Sequence, residues 1–265
     1  MSMSKILSVC LFGMLALTAC TDKTTDDTSS TADDSATTDD SGEPTGGFSI
    51  SGTAKNLLSG EAATEGLCVS VADPTPALSG GELDIRSDTT VGAGGAYTAE
   101  HVETTSAVGL LMLVEDCAAE GTVMPTATGI KRDAYSSLGD GDAITDQTIY
   151  SIDATSQAGI QAGLEGAGYT GDLGTEGALL GFVLDTDAST PIDGAVVGGG
   201  SATVYYANAD GTWNTTATVA AARSMFIIPG APIYTYTCSK DGYTFGNLLA
   251  GSQPTYAVIV RFLAE

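Results

Sequence analysis

The chain is short of positive charge. Nine Lys and Arg stand against 33 Asp and Glu in 265 residues, a formal charge of −24. A nucleic-acid binder works by neutralising phosphates with a basic surface, so that class of partner is excluded. Histidine is nearly absent: His101 is the single copy, and it sits in Glu100-His-Val-Glu103, which reads as a solvated strand end. The sequence has no Gly-x-Ser-x-Gly elbow, no His-Glu-x-x-His helix and no glycine-rich phosphate loop opening a helix. It also lacks the close Cys or His pairs that a zinc site needs. Aromatic residues make up 6% with one Trp. Beyond the N-terminal segment no apolar run approaches the roughly 18 residues of a membrane-spanning helix, so the rest of the chain is expected to be soluble.

What is present begins with an address. Met1 to Lys5 form a short basic start, residues 6–19 are apolar apart from two hydroxyl side chains, and the segment closes on Leu17-Thr18-Ala19-Cys20. A run of about 14 apolar residues is too short to cross a bilayer core of about 30 Å, so 1–19 is expected to be a cleaved signal. The closing tetrapeptide resembles the lipobox of bacterial lipoproteins. That resemblance implies that Cys20 becomes the first mature residue and carries lipid (palmitate), and Thr21, which is not the Asp that retains such proteins in the inner membrane, implies the outer membrane. The alternative is an ordinary secretory signal cut near Ala19, leaving Cys20 as a thiol. Cys10 leaves with the signal in either case.

Residues 20–47 follow as a linker. Its 27 residues after Cys20 hold 12 Ser or Thr, 8 Asp or Glu and no aromatic or large aliphatic side chain. Such a tract buries too little apolar area to offset its ordering entropy and is expected to be a disordered, self-repelling spacer. The pairs Asp26-Asp27, Asp33-Asp34 and Asp39-Asp40 lack the fixed oxygen cage of a calcium site.

From Phe48 the pattern changes. Short apolar runs at 48–50, 67–71, 109–114, 179–184, 203–206, 225–228, 233–236 and 256–262 are separated by Gly, Asp, Asn and Pro. Runs of four to eight between turn residues predict antiparallel strands packed as Greek-key sandwiches. The spacing of Ile160 and Leu164 predicts a helix over 156–166, whose glycines make it a short connector outside the core. The expected fold is all-β: domain 1 at 48–153, a helical and Gly-rich connector at 154–176, and domain 2 at 177–265. Gly52, Gly66 and Gly95-Ala-Tyr97 match Gly181, Gly194 and Gly211-Thr-Trp213 in order, so the two domains read as a duplication. Each copy is expected to contain a glycine hairpin that ends on an aromatic residue.

The second copy carries a family likeness. Gly181-Phe-Val-Leu-Asp185, Pro191-Ile-Asp-Gly-Ala-Val196, Asn208-Ala-Asp-Gly-Thr-Trp213, Phe226-Ile-Ile-Pro-Gly230 and Lys240-Asp-Gly-Tyr243 together resemble the carboxypeptidase regulatory-like domain. The resemblance covers about 85 residues and implies a transthyretin-like sandwich of about seven strands with no catalytic residues of its own. Ser224 stands where that family often has glycine.

Candidate sites are few. With Cys20 lipidated, an odd number of cysteines remains. Cys68 with Cys117 is the expected disulfide, Cys117 with Cys238 is the alternative, and Cys238 otherwise sits as a small apolar residue in a strand. No cofactor is expected apart from calcium, for which Asp140, Asp142 and Asp146 form an oxygen-rich turn that also reads as a merely solvated one. Tyr97 and Trp213, with Tyr205 and Tyr206, are candidate stacking platforms for sugars, or core residues if they point inward. The expected function is therefore a non-catalytic envelope lipoprotein, held at the membrane by its lipid and meeting an envelope protein or polysaccharide. The alternative is a carbohydrate-binding or adhesive module. A small hydrolase using two carboxylates stands behind both.

Overall fold

The computed structural model describes residues 46–265 except 79–80, 105, 107 and 119–120. The signal, Cys20 and nearly all of the linker therefore lie outside the described residues. Among these residues no helix is long and apolar enough to cross a membrane.

The all-β expectation holds. The first half contributes β1 (Phe48–Asn56), β2 (Cys68–Asp73), β3 (Asp84–Thr90), β4 (Ala96–Val102), β5 (Leu110–Glu115), β6 (Val123–Met124), β7 (Thr126–Ile130) and β8 (Ala143–Asp153). The second contributes β9 (Ala178–Leu184), β10 (Val196–Gly198), β11 (Tyr205–Ala207), β12 (Trp213–Asn214), β13 (Met225–Pro229), β14 (Tyr234–Ser239), β15 (Leu248–Ala250) and β16 (Ala257–Leu263). Helices α1 (Thr75–Leu78), α2 (Ala154–Gly166) and α3 (Leu173–Glu176) complete the set.

Strand pairing bears on the duplication. In the first half β1 pairs antiparallel with β4 and parallel with β8, while β2, β5 and β7 form an antiparallel ladder. In the second, β9 pairs antiparallel with β13 and parallel with β16, while β10, β14 and β15 form the matching ladder. The third strand breaks the equivalence: β3 joins the ladder through β2, whereas β11 joins the other sheet through β13. The purely antiparallel pairing expected from the sequence is thus replaced by mixed sheets.

Each half is a sandwich, yet the two are not separate modules. The last strand, β16, lies between β9 and β7 and runs parallel to both. One nine-stranded sheet, in the order β12-β11-β13-β9-β16-β7-β5-β2-β3, therefore passes through both halves. The sheet β4-β1-β8-β6 belongs to its first half and β10-β14-β15 to its second. Three side-chain contacts reinforce the seam: Tyr256 Oη donates to Glu115 at 3.1 Å, Arg261 to Tyr150 Oη at 3.0 Å and Arg223 to the Leu57 carbonyl at 3.3 Å.

Strand β9 is buried at all seven positions, as expected for a strand covered on both faces. Leu179 and Val183 enter the core beneath the three-stranded sheet, and Leu180, Phe182 and Leu184 enter the opposite core. That opposite core is where α2 packs. Ile160 and Leu164 are buried within it, so the helix is a core element and the connector expectation is corrected. Four-residue spacing places both side chains on one helical face, and this contact compensates for the helix's three glycines.

Two turns also differ from expectation. Gly92 to Gly95 was expected to close a hairpin, but β3 and β4 belong to different sheets and the segment is a 3₁₀ turn between them. Gly95 is required there: its φ is +82° and a Cβ would meet the Ala54 carbonyl oxygen at 2.4 Å. The second copy does form a hairpin, with Gly211 between β11 and β12. At the other site Ser224 takes φ +50°, the left-handed conformation that glycine adopts freely, and its buried hydroxyl donates to the Ile192 carbonyl at 2.6 Å.

Candidate functional site

Cys68 opens β2 and Cys117 lies just beyond β5; the two are joined by a disulfide with a Cα–Cα distance of 5.1 Å. β2 and β5 are ladder neighbours with Cys68 opposite Glu115, which brings the sulfurs together. Cys238 remains a free thiol on β14. Burial pushes that thiol up to about 12, well away from a reactive thiolate.

The aromatic candidates point inward. Tyr97 is 4% exposed in the first core, with its hydroxyl on the Gln147 carbonyl at 3.3 Å. Tyr206 is 1% exposed and both accepts from and donates to the Val197 backbone. Tyr205 is buried as well. Trp213 is half-buried and its indole lies against α2, where a Cβ on Gly163 would come within 2.5 Å of the ring. Of the two readings open for these rings, core packing holds for the three tyrosines: Tyr97 faces the core from β4, and β11 is covered on both faces, so Tyr205 and Tyr206 enter opposite cores.

The acidic turn is used for backbone bonds. Asp140 accepts from the Gly47 amide at 2.8 Å and Asp142 from the Gly139 amide at 2.7 Å. Asp146, at φ +60°, accepts from its neighbour Thr145. Among the described residues no three His, Cys, Asp or Glu converge as a metal site would require.

The concave feature lies at one end of the first sandwich, where β1 starts and β4 ends. A cavity of about 430 Å³ is lined there by Phe48, Arg86, Glu103, Ser106, Arg132, Tyr135 and Asp140, with a second groove of about 610 Å³ beside it along β3 and β4. Phe48 and Tyr135 are buried and stack at 5.8 Å between ring centroids, forming its floor. Behind them is a polar network: Tyr135 Oη donates to the Ser106 carbonyl at 3.3 Å, Ser106 Oγ donates to the Gly109 carbonyl at 2.8 Å, and Ser106 Oγ and Thr75 Oγ1 lie 3.2 Å apart. Asp73, nearly fully buried, accepts from the Thr75 amide at 2.8 Å and faces Arg86 at 3.9 Å. Burial alone would raise the Asp73 pKa, but bonds from Thr75 and Ser106 and the charge of Arg86 outweigh it and hold the carboxyl below its usual value.

The sequence reading missed this cavity. Its residues come from four separate stretches, 47–48, 86, 102–106 and 132–140, and the only local signal was the positive charge of Arg86 and Arg132 in a chain with few bases.

No family model matches the chain, and no curated protein matches it either. The likeness to carboxypeptidase regulatory-like domains thus rests on the sequence motifs alone. Among solved structures, the Bacillus anthracis TIE protein is similar at 12% identity over 82% of this chain, with a TM-score of 0.26, and this chain spans 33% of its length. The shaft pilin SpaA from Lactobacillus rhamnosus GG is similar at 8% identity over 82% of this chain and 97% of that one, TM-score 0.24. GBS52, the minor pilin of Streptococcus agalactiae, is similar at 13% identity over 82% and 95%, TM-score 0.26. Superpositions this loose carry no argument about ancestry or activity.

Proposed function

We propose that the chain is a non-catalytic cell-envelope lipoprotein, anchored through lipid on Cys20 and displaying its fused β-sandwiches for a structural or interaction role, with an envelope protein or polysaccharide as partner. The supporting observation is a pairing of features. A lipobox-like ending at Leu17 to Cys20 precedes a body whose Cys68 and Cys117 are bridged, and a structural disulfide belongs to an oxidising, extracytoplasmic compartment. The linker, with 8 acids and a single Lys in 27 residues, would hold that body off an anionic membrane by self-repulsion. Thr21 favours the outer membrane over the inner. The sugar-stacking alternative loses three of its four rings with the burial of Tyr97, Tyr205 and Tyr206, leaving only the half-buried Trp213.

Metabolic labelling with an alkyne-bearing fatty acid tests the anchor. Label is expected on the wild-type chain and in the membrane fraction, with Cys20→Ala abolishing both. An unlabelled wild type, or a Cys20→Ala chain that stays with the membrane, would overturn it.

A further inference from the structure

The cavity at the end of the first sandwich holds one cation and one anion that do not satisfy each other. Arg132 projects from an exposed turn and makes no ion pair among the described residues, whose two ion pairs both belong to Arg86. Glu103, exposed just beyond β4, makes no side-chain ion pair or hydrogen bond among the described residues; its Oε1 lies 2.6 Å from where a Cβ on Gly46 would stand. The neighbouring charges are already committed, Arg86 to Asp84 at 2.6 Å and Asp140 to the Gly47 amide. In a body with 25 acids and only 7 bases, a guanidinium left open beside a concave wall is a specific feature of this end of the molecule.

From this we infer that the cavity binds a small zwitterionic ligand, a free dipeptide, with its carboxylate on Arg132 and its ammonium on Glu103. A guanidinium recognises a carboxylate with two parallel N–H bonds, and a carboxylate is the natural acceptor for an ammonium. The cavity of about 430 Å³ falls in the range of roughly 300–1,000 Å³ typical of small-molecule sites. Its floor is fixed in advance: the Phe48–Tyr135 stack is buried and the Ser106 network ties Tyr135 in place, so binding costs little ordering of the wall. The inference goes beyond the envelope assignment and does not depend on lipid at Cys20.

Titrating the full chain with alanyl-alanine, followed by ¹H–¹⁵N chemical shifts, tests it. Saturable shifts are expected around residues 102–104 and 132–139. Both side chains are exposed, so Arg132→Gln and Glu103→Gln should keep the wild-type melting temperature while weakening binding about tenfold each. N-acetyl-alanyl-alanine should bind more weakly, and Glu103→Gln should then have no further effect, because the ammonium is gone. Absence of saturable shifts, equal binding of free and acetylated dipeptide, or undiminished binding by Arg132→Gln would each overturn the assignment. None of these outcomes touches the fatty-acid labelling of Cys20.

Discussion

Val258 of the C-terminal strand is in register with Ala127 of the first half. On its other side the same strand runs beside β9, and this one strand makes the two sandwiches share a sheet. Unfolding is therefore expected to be a single transition, with far-UV and near-UV signals coinciding. Val258→Pro removes a backbone donor from the middle of the sheet, where proline is not accommodated. It should lower the midpoint of the whole body. A first-half transition surviving unchanged in the variant would mean the halves are energetically independent.

Close approach explains Gly181. A Cβ there would fall 2.4 Å from Phe226 Cζ and 2.9 Å from Val260 Cγ2, both in the packed core. Gly181→Ala should cost about 1–3 kcal/mol by overpacking, read from urea denaturation. Gly166→Ala, with open space around its Cβ position in α2, is the control and should be neutral or stabilising.

The Cys68–Cys117 bridge spans 49 residues. Closing such a loop constrains the unfolded chain by about 3–4 kcal/mol on the chain-entropy account. Reduction, or the double change Cys68→Ser with Cys117→Ser, should lower the denaturation midpoint accordingly while leaving the far-UV spectrum intact at low temperature. Cys238 should resist alkylation until the chain is unfolded, since its thiol is raised by burial.

Acid should act through the lowered carboxylates that are packed against the body, Asp153 and Asp73, more than through the lowered but fully exposed Asp187 and Asp210. Asp153 caps α2, accepting from the Ser156 amide at 2.6 Å and from Asn56 at 2.5 Å, and the Ser156 bond above all holds it below the usual carboxylate value; Asp73 is lowered too. A lowered folded-state pKa means the stabilisation is complete above the unfolded value of about 3.9 and is lost as pH falls through the folded one. The urea midpoint should hold between about pH 5 and 7 and drop below about pH 4. Asp153→Asn keeps an N-cap and should flatten that drop; an unchanged acid limb in this variant would remove Asp153 from the account.

The legible parts of this fold were those where one strand reports its own surroundings. All eight apolar runs became strands: a strand covered on both faces is apolar along its length, and one covered on a single face is apolar at alternate positions. β3 escaped notice because it is an edge strand, Asp-Ile-Arg-Ser-Asp-Thr-Thr, with no buried position to impose a period. Long β8 was also missed, its buried Ile144, Ile149 and Ile152 being interrupted by polar residues and a register shift in its pairing with β1. The left-handed Ser224 shows the reverse case. Its departure from glycine was visible in the sequence, but the hydroxyl bond to Ile192 that compensates was not.

By itself the sequence determined the charge, the polar and acidic composition of residues 21–47, the all-β character of the body and the short apolar spacing that marks α2. These depend on neighbours along the chain, and local composition carries them. The tertiary structure alone decided that β16 joins both halves, that α2 enters the core, that Tyr97, Tyr205 and Tyr206 face inward, and that Arg132 and Glu103 share a cavity. Partners of that kind lie tens to more than a hundred residues apart, and they are selected by which surfaces bury each other once the chain has closed its loops.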